Sequence, residues 1–208
     1  LSARFVHVAA FDGEPDAPYD DTTKLWVHGW DADDKGHCTF CSQNKWQNHP
    51  DRRSKEFWGR GNGWIVVTLS DALEILPKDH KYWKEFAGYL TEMVTVLPAL
   101  QDTATGHWYQ LPMRKGEEGN YLESSCTAMF GYGILTAKKY NLVHGQHYID
   151  AVVRAYKGLR EMSLVEVPGG YLTTANVCKG TCIGDSSYYY NRKSQNGKAY
   201  AVGMFMQF

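Results

Sequence analysis

The 208-residue chain carries 22 basic and 23 acidic residues, a net charge of −1 and a pI of about 6.8. It therefore lacks the positive excess with which proteins hold nucleic acid or anionic membranes. Hydrophobic residues make up 43% and charged residues 22%, an ordinary globular composition with length enough for one real core. No apolar run approaches the roughly 20 residues of a membrane span. Aromatic residues reach 14%, with 7 Trp and 14 Tyr. Such side chains favour sites with an apolar face and a wet edge, and carbohydrate is the partner class that fits best.

The chain starts Leu-Ser-Ala-Arg, with no initiator Met and no basic-plus-apolar leader, which reads as a start that is missing and leaves the compartment extracellular or unassigned. A turn-rich aromatic hairpin opens at Asp21 and runs through Trp26-Val27-His28-Gly29-Trp30. After a polar loop holding Cys38 and Cys41 comes Phe57-Trp58-Gly59-Arg60-Gly61-Asn62-Gly63-Trp64, directly before an apolar run. Two indoles and a guanidinium within seven residues suit a sugar acid: Trp faces pack on sugar rings, and an Arg fork matches a carboxylate. Glycines allow close approach of backbone to a ligand or another element. The alternative is a buried aromatic turn in which Arg60 pairs internally.

A helix is expected from about Asn62, with Ile65, Leu69, Ala72, Leu73 and Leu76 on one face. A second is expected over about His80–Leu97, separated from the first by Pro77 and closed by Pro98. The pattern then repeats. A turn-rich opening at Asp102–Gln110 leads to helices at Glu123–Tyr140 and Gln146–Met162, and a third opening at Pro168–Leu172 leads to an apolar stretch from Ala199. Repeats of this type read as a helical toroid or α-hairpin array with its loops gathered on one face. Five cysteines occur, at 38, 41, 126, 178 and 182. Their odd number leaves at least one unpaired within the chain. Cys38/Cys41 with Cys178/Cys182 have zinc-site spacing only if the two loops meet; disulfides and plain buried thiols are the competing readings.

Four motifs occur in one order: Trp26–Asp31, Phe57–Trp64, Glu123–Phe130, and Cys178–Asp185 followed by Tyr188-Tyr189. Together they resemble glycoside hydrolase family 105, the unsaturated rhamnogalacturonyl and related uronyl hydrolases, and more distantly family 88. The resemblance spans nearly the whole chain. It implies an all-α (α/α)6 barrel of six helical hairpins, of which residues 1–208 supply about half as one toroid domain incomplete at its N-terminus. It also implies removal of a terminal 4,5-unsaturated uronic acid by protonation of the enol ether at C4 and addition of water at C5, with no metal or organic cofactor. One carboxyl serving as acid and then base suffices, unlike the carboxylate pair of ordinary glycosidases.

Carried over position by position, His28 would bond ring or carboxylate oxygens, Trp58 and Trp64 would wall the subsite, Arg60 would hold the uronate, and Thr181 would contact the sugar from the opposite side. Each has a plainer reading: a loop histidine with a backbone partner, buried aromatics, an internal ion pair, and a threonine serving its own turn. The family's general-acid aspartate belongs upstream of the His-Gly-Trp-Asp hairpin, and no matching segment is present. The catalytic acid is thus unknown, with Asp31 the fallback and Asp185 the second choice. Asp31 more plainly fixes the hairpin, Asp185 caps the Tyr188 segment, and Glu123 starts a helix. The implied partners are an oligosaccharide ending in an unsaturated uronic acid and the N-terminal remainder of the same enzyme. Competing classes are a non-catalytic carbohydrate-binding relative and a helical scaffold for another protein.

Overall fold

A computed structural model describes residues 19–30 and 53–208. Asp31, Cys38 and Cys41 lie outside these residues. Tyr19–Asp20 (β1) pairs antiparallel with Leu25–Trp26 (β2), and the Asp20 carboxylate accepts from the amides of Thr22 and Thr23 to close the turn. Two helices follow, Gly59–Ile75 (α1) and Trp83–Leu100 (α2). Trp108–Tyr109 (β3) pairs with Leu122–Glu123 (β4), which leads into Ser124–Lys139 (α3) and Gln146–Gly158 (α4). A single wide turn over Leu159–Ser163 carries α4 into a hairpin of Leu164–Val167 (β5) and Tyr171–Thr174 (β6). Val177–Cys178 (β7), Ser186–Tyr190 (α5), Ser194–Gln195 (β8) and Ala199–Gln207 (α6) complete the order, with β7 paired to β8.

The expected helices are present with shifted ends. α1 begins at Gly59, so Arg60 and Gly61 lie in its first turn rather than ahead of it. Pro98 does not close α2; it lies inside the last turn, and the helix continues to Leu100. Packing outweighs the lost N–H there, because Leu97 is fully buried and its carbonyl accepts from Trp108 Nε1 at 2.8 Å. α4 stops at Gly158, four residues short of the expected end.

α3 packs against α1, α2, α4 and α6. Its Cys126, Ala128, Met129, Phe130, Ile134 and Ala137 are all fully buried, as a helix covered on most sides requires. α4 is instead one-sided, burying Tyr148, Ala151, Val152 and Ala155. The arrangement is an arc of helical hairpins in which α1, α3 and α6 form one row and α2 and α4 flank it. Small residues let the row close up. A Cβ added at Gly63 would stand 2.6 Å from Met129 Sδ, and one at Gly133 would stand 2.0 Å from Val66 Cγ1. A β-branched valine on α1 cannot swing aside as a methionine can. Gly133→Ala is therefore expected to destabilise by about 1–3 kcal/mol despite the better helix propensity of Ala, as read by urea unfolding. An unchanged midpoint would show that α1 and α3 are not held this close.

Among the described residues the arc leaves apolar surface uncovered. Leu135, Val152, Val153, Tyr156 and Phe208, with Lys157 and Arg160 at the edge, line a groove of about 380 Å³. Contiguous apolar surface on an isolated chain drives association. Sedimentation of the 208 residues alone should show species heavier than 23.6 kDa, and a clean monomer would count against an open arc.

Candidate functional site

The N-terminal ends of α1, α3 and α6 come together around one guanidinium. Arg60, in the first turn of α1, is 3% exposed. Its Nη1 donates to the Cys178 carbonyl at 2.7 Å and stands 3.5 Å from Glu123 Oε1 and 3.4 Å from Ser125 Oγ; Nη2 is 3.4 Å from the Lys179 carbonyl. The Arg60 carbon Cζ lies 4.6 Å from the centre of the Trp58 ring and 4.8 Å from that of Tyr200. The cation is thus clasped between two aromatic faces, an arrangement that desolvation strengthens.

Glu123 is the counter-charge of Arg60 in this setting. It is the N-cap of α3, accepting from the Cys126 amide at 2.7 Å, and it also accepts from Ser125 Oγ and from the Cys178 amide at 2.8 Å. One fully buried carboxylate therefore ties α1, α3 and β7 together. A buried charge needs this density of donors to hold its place. Beside it, burial raises the thiols of Cys126 and Cys178 above the usual cysteine range, so both stay protonated and unreactive. Cys126, Cys178 and Cys182 form no disulfide among the described residues.

The hairpin that carries His28 is pinned to α1 by Asn62. Its side chain accepts from the Trp26 amide at 2.8 Å and donates to the Trp26 carbonyl at 2.8 Å, acting as a one-residue strand partner. On the other side, the His28 amide donates to the Glu56 carbonyl and the Ser54 amide donates to the Gly29 carbonyl. Glu56 is buried and held bidentately by Arg114, at 2.6 and 2.8 Å. The half-buried His28 ring then tilts against Trp58, with centroids 4.5 Å apart, and its Nδ1 bonds the hydroxyl of fully buried Tyr189.

Loss of solvation, with the Arg60 charge adding to it, lowers the His28 pKa to about 3. The unfolded chain, with a histidine near the usual 6.5, takes up a proton between those values that the folded chain refuses. Stability therefore falls as pH drops from about 6.5 toward 3 and is untouched by this group above that range. Urea midpoints compared at about pH 7 and about pH 4 should fall more in the wild type than in His28→Asn. Equal falls would mean that His28 accepts the proton when folded.

His28, Trp58, Arg60 and Trp64 thus form one chain of contacts, with Tyr200 as the link: Trp64 meets Tyr200 edge-on at 6.1 Å. Thr181 is not bonded into this group. Its hydroxyl donates to the Cys182 carbonyl at 3.1 Å within its own turn, two residues beyond Lys179. Arg60 likewise has the internal ion pair that the sequence offered as its alternative. Asp185 caps α5, accepting from the Tyr188 amide at 2.8 Å. Sequence reasoning missed Asn62, Tyr189 and Tyr200. The signal for Asn62 was available, since an Asn between glycines inside a helix start is a poor helix former unless its amide has work elsewhere. Tyr189 was seen only as part of the pair that follows the fourth motif, and nothing local marks its role or that of Tyr200. Gln110 adds a buried oxygen, Oε1, without a partner among the described residues, while its Nε2 donates to the Tyr189 carbonyl.

Comparison with known proteins places this arrangement. A solved glycoside hydrolase of family 105 from C. acetobutylicum superposes with a TM-score of 0.77 and 28% identity over 90% of this chain and 52% of that one. A possible GH105 member from Salmonella enterica gives 0.68 and 29% over 91% and 44%. Among curated proteins, the unsaturated rhamnogalacturonyl hydrolase YesR of Bacillus subtilis is 29% identical over 145 residues, covering 70% of this chain and 37% of YesR. Protein Atu3128 of Agrobacterium fabrum is 35% identical over 127 residues, covering 61% of this chain and 50% of that protein. The chain spans about half the length, or less, of these relatives. The fold is accordingly the six-hairpin glycosidase type, of which the described arc is a part. The sequence model of Glycosyl Hydrolase Family 88 matches residues 7–208, and the chain belongs to that family.

Proposed function

We propose that the protein removes a terminal 4,5-unsaturated uronic acid, of the rhamnogalacturonyl or a related uronyl type, from oligosaccharides left by a polysaccharide lyase. The observation that carries this reading is the Arg60 cation clasped by Trp58 and Tyr200 where three helices begin, with the neutral His28 ring beside it. Helix N-termini and a desolvated guanidinium both favour an anion, and the aromatic faces suit a sugar ring. Arg60 supplies the positive potential for the uronate, Trp58 and Trp64 the walls, and Thr181 lines the approach.

A carboxyl protonates C4 of the enol ether while water adds to C5. The hemiketal so formed opens to the ketone, and the bond to the leaving sugar breaks as its oxygen takes a proton. Glu56 and Glu123, the buried carboxylates nearby, are held by Arg114 and Arg60, and Asp185 is engaged as a cap. We assign the donor to a segment of the enzyme other than these residues, with Asp31 as the candidate within the chain. Loss of the double-bond ultraviolet absorbance on incubation with an unsaturated disaccharide tests the reading. Binding without turnover by the full-length protein would favour the second reading, a non-catalytic carbohydrate-binding relative, which the absence of an unengaged buried carboxylate at the described site supports.

A further inference from the structure

His28 is set in place by its backbone, but its chemistry depends on which ring nitrogen holds the proton. That choice is made by the partner of the other nitrogen. Tyr189 is fully buried, and among the described residues the single hydrogen bond of its hydroxyl to a side chain is the one to His28 Nδ1. A buried phenol O–H needs an acceptor. If Nδ1 carried a proton, in either the other neutral tautomer or the imidazolium, it would donate to the phenol oxygen, and the phenol would have no side-chain acceptor among the described residues. The hydroxyl must therefore donate and Nδ1 must accept.

We propose that Tyr189 is a positioning residue that holds His28 in the neutral tautomer protonated on Nε2, so that this N–H is the donor offered to an oxygen of the bound sugar. Among the described residues no hydrogen bond takes Nε2, which leaves it for a ligand. The surroundings agree. Burial keeps the Tyr189 phenol protonated far above its ordinary range, and the Arg60 charge works against an imidazolium. Tyr189 is itself fixed: its carbonyl accepts from Gln110 Nε2 at 3.0 Å, and its amide donates to the Asp185 carbonyl at the start of α5. The Cys178–Asp185 motif and the Tyr188-Tyr189 pair that follows it therefore act on the hairpin at His28, 161 residues away in sequence.

The inference rests on the reading of His28 as a sugar contact, and the test separates the two. Histidine ring nitrogens are labelled with 15N in the full-length protein, and the His28 signals are assigned by their loss in His28→Asn. The expected spectrum at neutral pH has a pyrrole-type Nε2 and a pyridine-type Nδ1. A pyrrole-type Nδ1, or two protonated nitrogens, overturns the proposal. In folded Tyr189→Phe the two ring shifts should move toward each other as the tautomers mix, and kcat/KM should fall about fivefold, the worth of one hydrogen bond. Unmoved shifts in a folded variant also overturn it, and should Tyr189→Phe fail to fold, the wild-type spectrum still decides. Titration with an unsaturated galacturonyl-rhamnose disaccharide should then shift Nε2. A tautomer as expected with an Nε2 signal that ignores the sugar removes the sugar contact while leaving the role of Tyr189 intact.

Discussion

Arg60→Ala is expected to cost the full-length protein about 3–5 kcal/mol of stability, because it leaves the Glu123 carboxylate buried without its counter-charge. The pair is nearly sealed, with side chains 4% and 0% exposed, so solvent cannot replace the lost partner. Three donors remain on Glu123, from Cys126, Ser125 and Cys178, which places the loss toward the lower end of that range. The aromatic slot between Trp58 and Tyr200 empties as well. Catalysis should suffer separately: kcat/KM falls by well over tenfold in Arg60→Ala, and Arg60→Lys restores little because an ammonium lacks the planar fork. The combination Arg60→Met with Glu123→Gln separates the two effects. With both charges gone, urea unfolding should show most of the stability regained while turnover stays low. Wild-type turnover by Arg60→Lys would show that the contacts of the fork with Glu123 and the Cys178 and Lys179 carbonyls are not needed for turnover.

The second large effect concerns the 208 residues by themselves. They hold the aromatic and cationic groups of the site, yet the carboxylates described near it are committed to arginines or to a helix cap. Withholding a general acid forfeits about 10²–10⁴ in rate. The isolated chain should therefore show no measurable loss of the unsaturated-uronide absorbance under conditions in which the full-length protein clears it. Robust turnover by the isolated chain would place the donor within it. Asp31→Asn is then the first variant to measure, and full activity in that variant would eliminate the residue.

Much of the local structure was readable in advance, for a physical reason. Helical periodicity and capping act over three or four residues, so Ile65, Leu69 and Leu73 disclose α1, and Glu123 and Asp185 disclose the starts of α3 and α5. The order of four short motifs was enough to indicate the six-hairpin family. Helix ends were read less well: Pro98 sits inside α2 because burial of Leu97 and the Trp108 bond to its carbonyl outweigh the local preference.

What the amino-acid sequence alone determined is the hairpin-and-helix pattern and the family; it also named His28, Trp58, Arg60, Trp64 and Thr181, of which the structure brings the first four into one chain of contacts. What tertiary structure decided is whom they face. Arg60 meets the carbonyls of Cys178 and Lys179, and His28 meets Tyr189, across separations of 118 to 161 residues. No local rule sets such pairings. They follow from the row of α1, α3 and α6 closing over small residues, which brings three helix starts to one place. There a buried carboxylate must find its cation, and a buried phenol its acceptor.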